Sequence, residues 1–225
     1  MQANIKSRTR TIAILGVLSA IAYALLVVGR ISFIPSAGFL KYDPKDVIIA
    51  IGGFLYGPLA SLAMSIVVSF AEMVTVSESG IIGCVMNIIS TASFTCTAAY
   101  IYKKRRTLTG ASVGLGVGVV LCTAVMLLWN YLLVPIYTPY ISRDVVVGML
   151  APVFLPFNLL KGGLNAAITM LLYKPVRIAL DKSRLLPINS GSGAKTAKLN
   201  AGVMLVSIFV LVTCILVVLA IQGVI

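Results

Sequence analysis

TGASVGLGVGVVLCTAVMLLWNYLLV, residues 109–134, contains no charged side chain. At about 1.5 Å of rise per helical residue it outreaches the roughly 30 Å hydrocarbon core of a bilayer. Lipid offers the backbone no hydrogen bonds, so a spanning helix is the expected form. Working outward, TIAILGVLSAIAYALLVV (11–28) is a second uncharged run, and apolar segments recur at Val47 to Tyr56, Leu59 to Val76, Ile81 to Tyr102, up to about Tyr173, and at Leu199 to Ile221. Gly57-Pro58 and Ser77-Glu78-Ser79-Gly80 punctuate them as turns. The chain is 60% apolar and 11% charged with a mean hydropathy of +1.06, which excludes an ordinary soluble domain. The expected fold class is all-α: a six-helix membrane domain over residues 1–185, a flexible basic linker over 186–198, and an additional seventh transmembrane helix over 199–225.

Ala20-Ile21-Ala22 resembles a signal-peptide cleavage site, but the apolar run continues past it to spanning length, so a retained first helix is the better reading. The formal charge of +12 does not point to nucleic acid, because the cations sit between the apolar runs. Lys6, Arg8 and Arg10, the four at 103–106 and six from Lys174 to Lys198 fall on one side, against Arg30, Lys41, Lys45 and Arg143 on the other. The positive-inside rule then places the amino terminus in the cytoplasm. Contact with lipid phosphates is a further use open to the basic runs. Cys84, Cys96, Cys122 and Cys214 lie in apolar segments with no histidine anywhere to complete a metal set, and read as small core hydrophobes.

Lys161 is the one basic residue outside both groups, and it falls inside the sixth helix. An ammonium there costs about 2.5–3.5 kcal/mol on insertion scales, so it is expected to face the protein interior and to mark a site. Asn158, Lys161 and Asn165 share one helical stripe. Glu72 near the outer end of the third helix, Asn87 in the fourth and Asn130 in the fifth add polar groups toward the external face. Glu72 is able to pair with Lys161, but sharing a pocket with it is the preferred reading. The alternative is that these groups only bind neighbouring helices together. A pocket of amides, one cation, one carboxylate and aromatics suits a flat heteroaromatic ligand with imide-like edges and a polyol tail.

Catalysis is not expected: no histidine, no nucleophile beside a base and no carboxylate cluster is evident, which leaves a small lipid- or isoprenoid-acting membrane enzyme as a remote alternative. The stretch Gly191-Ser192-Gly193-Ala194-Lys195-Thr196 lacks the glycines of a phosphate-binding loop, so any ATP is hydrolysed by a partner. Gly16, Ala20 and Ala24 form a small-residue stripe on the first helix, open either to internal packing or to a partner helix.

At four segments in order the sequence resembles the riboflavin-specific substrate-binding subunits of energy-coupling factor transporters, over about residues 8–185. They are Phe39-Leu40-Lys41-Tyr42-Asp43-Pro44-Lys45-Asp46, Met86-Asn87 with Thr91-Ala92-Ser93-Phe94, Asn130-Tyr131 through Pro135-Ile136-Tyr137, and Pro156-Phe157-Asn158-Leu159-Leu160-Lys161-Gly162. The resemblance implies a six-helix protein of the bacterial cell membrane. It captures riboflavin outside under a first-loop cap that includes Leu40 and Tyr42, and docks on a transmembrane coupling protein carrying two ATPases. It also implies that Asn130, Asn158 and Lys161 hold the flavin edge, with Glu72 at the site, and that Gly16, Ala20 and Ala24 form the docking face. Riboflavin is then cargo, and no cofactor is expected. A flavin nucleotide or another vitamin is the alternative cargo. The seventh helix departs from the family pattern.

Overall fold

The structure is a computed structural model that describes residues 2–34, 38, 40–77, 79–137, 141–182 and 201–223. The proposed linker at 186–198, the glycine-lysine stretch at 191–196, Phe39 and Glu78 therefore lie outside the described residues. In chain order the elements are α1 (Gln2–Val28), the strands β1 (Ile31–Ser32) and β2 (Lys41–Tyr42), α2 (Lys45–Tyr56), α3 (Pro58–Thr75), α4 (Gly80–Arg105), α5 (Leu108–Tyr137), α6 (Arg143–Met149), α7 (Leu155–Lys182) and α8 (Ala201–Ile221). β1 and β2 pair antiparallel, Ile31 opposite Tyr42 and Ser32 opposite Lys41.

Six helical stretches among the described residues are long and apolar enough to cross a membrane: Arg8–Val28, Pro58–Thr75, Gly80–Arg105, Leu108–Ile136, Arg143–Leu180 and Ala201–Ile221. α2 is different. Its 12 residues reach only about 18 Å, and all from Lys45 to Phe54 are buried. An apolar helix with no polar face belongs inside a protein, and α2 is ringed by α1, α3, α4 and α7. The α2–α3 corner needs Gly57, whose φ of +98° disfavours a side chain, and Pro58 then starts α3 with its fixed φ and missing donor.

Small residues set the spacing of the other helices. A Cβ at Gly114 would stand 2.8 Å from the Ala98 carbonyl, and one at Gly118 2.6 Å from that of Phe94, so α4 and α5 touch backbone to backbone. The turn between them is closed by Arg106 in the left-handed region and by Thr107, whose hydroxyl accepts from the Gly110 N–H at 2.9 Å. Lys103, Lys104 and Arg105 complement the dipole at the end of α4.

The sixth span is not one regular helix. Arg143, which the sequence places in a loop, starts α6, and residues 150–154 form a π turn before α7. Pro152 and Pro156 remove two amide donors here and crowd the preceding turn, which is reason enough for the ladder to widen. The Asn158 Nδ2 donates to the Phe154 carbonyl at 2.7 Å, satisfying an acceptor at the irregular turn.

A buried ion cluster under an amide-lined cavity

The hairpin end of the bundle gathers the polar side chains. α1 delivers Arg30 just past its last turn and α2 delivers Lys45 and Asp46 in its first. Glu72 stands near the end of α3, Asn87 in the first third of α4, Asn130 late in α5, and Asn158 and Lys161 early in α7. Because neighbouring helices run in alternating directions, these positions meet at one level.

Glu72 is the hub. Its exposure is 1%. Arg30 Nη2 lies 2.5 Å from Oε1, while Lys45 Nζ lies 2.6 Å and Asn87 Nδ2 2.9 Å from Oε2. The second Arg30 nitrogen donates to the Val76 carbonyl at 2.9 Å. Glu72 therefore does not pair with Lys161. Lys161 Nζ instead faces Asp43 Oδ2 at 3.4 Å, and Lys45 lies 3.9 Å from Asp43 Oδ1. Burial pushes the Asp43 carboxyl up, but the charges of Lys161 and Lys45 outweigh it and hold the group below the usual carboxylate range.

A second layer lies deeper. The Tyr42 hydroxyl donates to Asn165 Oδ1 at 2.9 Å, the Asn165 amide reaches Asp46 Oδ2 at 3.4 Å, and Thr91 donates to Asp46 Oδ1 at 2.7 Å. Burial, followed by the charges of Asp43 and Asp46, raises the Tyr42 phenol above its ordinary range, so it stays a neutral donor. Burial raises the Asp46 carboxyl above the usual range, and its partners are Thr91 and Asn165 rather than a cation. The ion pairs proper join Arg30 and Lys45 to Glu72, and Lys161 and Lys45 to Asp43, and paired, hydrogen-bonded charges are the form that tolerates burial.

Above these layers is a cavity that opens to the outside of the bundle. Leu40, Glu72, Asn87, Asn130, Asn158 and Lys161 all line it. Tyr42 and Asn165 do not: they sit in the layer below, one helical turn past Lys161 in the case of Asn165. Apolar wall comes from Met86, Met126 and Phe157, and charged wall also from Arg30, Lys41 and Asp43. The Asn130 side chain makes no hydrogen bond to protein among the described residues. Asp43 Oδ1 and Arg30 Nε are buried without hydrogen-bond partners among them.

Asp43, Lys45, Asp46 and Arg30 were absent from the expected site residues, because the sequence reading assigned Arg30 and Lys45 to a loop that merely sets topology. Lys45 is in fact 0% exposed. The signal was present: Lys45 and Asp46 directly precede the apolar run that starts at Val47, and a helix buried all round takes its first turn inside with it. On α1, Ile14, Leu18, Ala22 and Leu26 face the core, while Gly16, Ala20 and Ala24 are exposed on the opposite side. Internal packing within the described residues therefore does not occupy that stripe.

Residues 10–173 match the family described as the substrate-specific component of ECF transporters. The chain belongs to that family. Among relatives, this S component is 27% identical over 185 residues to the riboflavin transporter FmnP of Bacillus subtilis (strain 168), an alignment covering 79% of this chain and 97% of FmnP. It is 29% identical over 177 residues to the riboflavin transporter RibU of Staphylococcus aureus (strain TCH60), covering 76% of this chain and 92% of that one. A solved S component of a bacterial ECF transporter superposes with a TM-score of 0.64 at 28% identity, over 77% of this chain and 98% of the other. The S component is thus a multi-pass membrane protein and a transport subunit, not an enzyme. The family match ends before α8.

Proposed function

We propose that this S component binds riboflavin in the cavity walled in part by Leu40, Lys41 and Asp43 of the β1–β2 hairpin region, and hands it to an energy-coupling factor complex for ATP-driven uptake. The observation that carries the reading is the lining itself. Asn130, Asn158 and Lys161 offer donors and acceptors suited to the imide edge of a flavin, beside Phe157, Met86 and Met126, which suit its flat ring. Asp43, whose Oδ1 has the Lys45 ion pair but no hydrogen bond among the described residues, also lines the cavity, where a polyol tail offers hydroxyl donors. The two relatives named as riboflavin transporters support the same ligand.

A flavin nucleotide is the competing cargo, since Arg30 and Lys41 also line the cavity. Glu72 neutralises Arg30 and Asp43 faces Lys161, so these charges are already paired within the protein. Riboflavin, the ligand named for the relatives, is the preferred cargo. The basic-residue count orients the amino terminus and the α4–α5 turn toward the cytoplasm, which leaves the cavity opening outward. The exposed stripe of Gly16, Ala20 and Ala24 offers a close-approach surface to a transmembrane coupling protein, with two ATPases supplying the energy.

Purified protein titrated with riboflavin, and then with its 5′-phosphate, tests the ligand through flavin fluorescence. Saturable binding of riboflavin, with weaker binding of the phosphate, is expected. Absence of binding to either would end the proposal, and a preference for the phosphate would replace the cargo.

A further inference from the structure

α8 lines no part of the cavity and lies past the family match, yet it is seated on the bundle. Its less exposed positions Val203, Ser207, Leu211, Cys214 and Val218 recur at four- and three-residue steps and make one face, while Leu205, Val206 and Phe209 on the other side are more than 60% exposed. Ser207 satisfies its own hydroxyl on the Val203 carbonyl at 2.8 Å, so the face carries no unmet polar group. Gly163 of α7 makes room for it: a Cβ there would stand 3.1 Å from Cys214 Sγ.

That face reaches the hairpin. Leu211, Cys214 and Val218 pack against the apolar cluster that holds Phe33, Tyr42 and Phe157. Just past the helix end, Gln222 Nε2 donates to the Ser32 carbonyl at 3.2 Å. Ser32 pairs with Lys41, and Leu40, Lys41 and Asp43 form the cavity wall. A ladder of two residues per strand is marginal by itself; β2 is held from the bundle side by Tyr42 on Asn165 and Asp43 on Lys161, and the Gln222 hydrogen bond adds a hold on β1 from α8.

We infer that α8 is a strap that holds the β1–β2 hairpin in place at the cavity wall and slows ligand release, with Gln222 as its positioning residue. The inference rests on the cavity being the riboflavin site, and its test separates the two. The full-length protein in nanodiscs is compared with Gln222→Glu, which keeps the shape but loses the N–H, and Gln222→Lys, which restores a donor. Without any ligand, hydrogen exchange of the hairpin amides is expected to quicken in Gln222→Glu and to return toward wild type in Gln222→Lys. With riboflavin, dissociation quickens about five- to tenfold in Gln222→Glu, the worth of one hydrogen bond, at an unchanged association rate. Equal exchange and release in all three proteins, or a Gln222→Lys protein as fast as Gln222→Glu, overturns the strap. Gly163→Cys gives a second readout, because the Cβ-to-Sγ span to Cys214 matches the about 3 Å of a disulfide. Oxidation is expected to cross-link α7 to α8 and slow release relative to the reduced form, and failure to cross-link removes the proposed seat of α8. If wild type binds no riboflavin, the ligand reading fails while hairpin exchange still decides the strap.

Discussion

Lys45→Met probes the buried ion cluster most sharply. Lys45 is fully buried, with its ammonium 2.6 Å from Glu72 Oε2 and 3.9 Å from Asp43 Oδ1. Methionine keeps much of the stem and removes the charge. Glu72 retains Arg30 and Asn87, but Glu72 and Asp43 both lose the cation they share. Breaking a buried pair from one side costs about 3–5 kcal/mol. At about 2–4 °C per kcal/mol for a chain of this size, the melting midpoint falls by about 6–20 °C. Adding Glu72→Gln removes one of the two carboxylates that Lys45 served and is expected to recover part of that loss, a coupling that only neighbouring groups show. The assay is a thermal melt in detergent followed by the fluorescence of Trp129, the single tryptophan. A Lys45→Met protein melting within about 2 °C of wild type, or a double variant no better than the sum of the two singles, refutes the cluster as described.

Lys161→Ala removes both the partner of Asp43 and a cavity donor, so it is expected to weaken riboflavin binding by at least about tenfold and to lower the melting midpoint as well. Calorimetric titration and a melt on one preparation check the two effects. Ala20→Phe on the exposed stripe of α1 is expected to leave riboflavin affinity unchanged and to abolish cellular uptake, since it touches a proposed docking face and no cavity residue; radiolabelled uptake beside a binding titration reads this. Gly118→Ile drives a side chain into the Phe94 carbonyl 2.6 Å from the Cβ position, and folded yield by size-exclusion chromatography is expected to collapse.

Much of this was legible in the sequence for physical reasons. Spans announce themselves because lipid forbids charge over a fixed length, and Lys161 announces itself by breaking that rule. Asn130 and Asn158 follow from the same logic and stand together with Lys161 at the cavity. Charges beside a loop carry no such cost in one dimension, so Arg30, Asp43 and Lys45 read as surface until the fold shows α2 sunk within the bundle. Helical spacing placed Asn165 on the stripe of Lys161, but not its depth, and depth separates a cavity residue from one tied to Tyr42 and Asp46. The seventh helix was legible as a span, whereas its seat against Gly163 and the hairpin depends on packing that no periodicity encodes.

Riboflavin affinity of Asn130→Ala, measured beside its melting midpoint, tests the central claim most directly. Asn130 lines the cavity and makes no hydrogen bond to protein among the described residues, so its loss leaves the fold intact and acts on the ligand alone. A buried ligand group left unpaired costs about 1–3 kcal/mol, or roughly 5- to 150-fold in affinity. That weakening at an unchanged melting midpoint is the predicted result, and wild-type affinity in a stably folded Asn130→Ala protein would contradict the site.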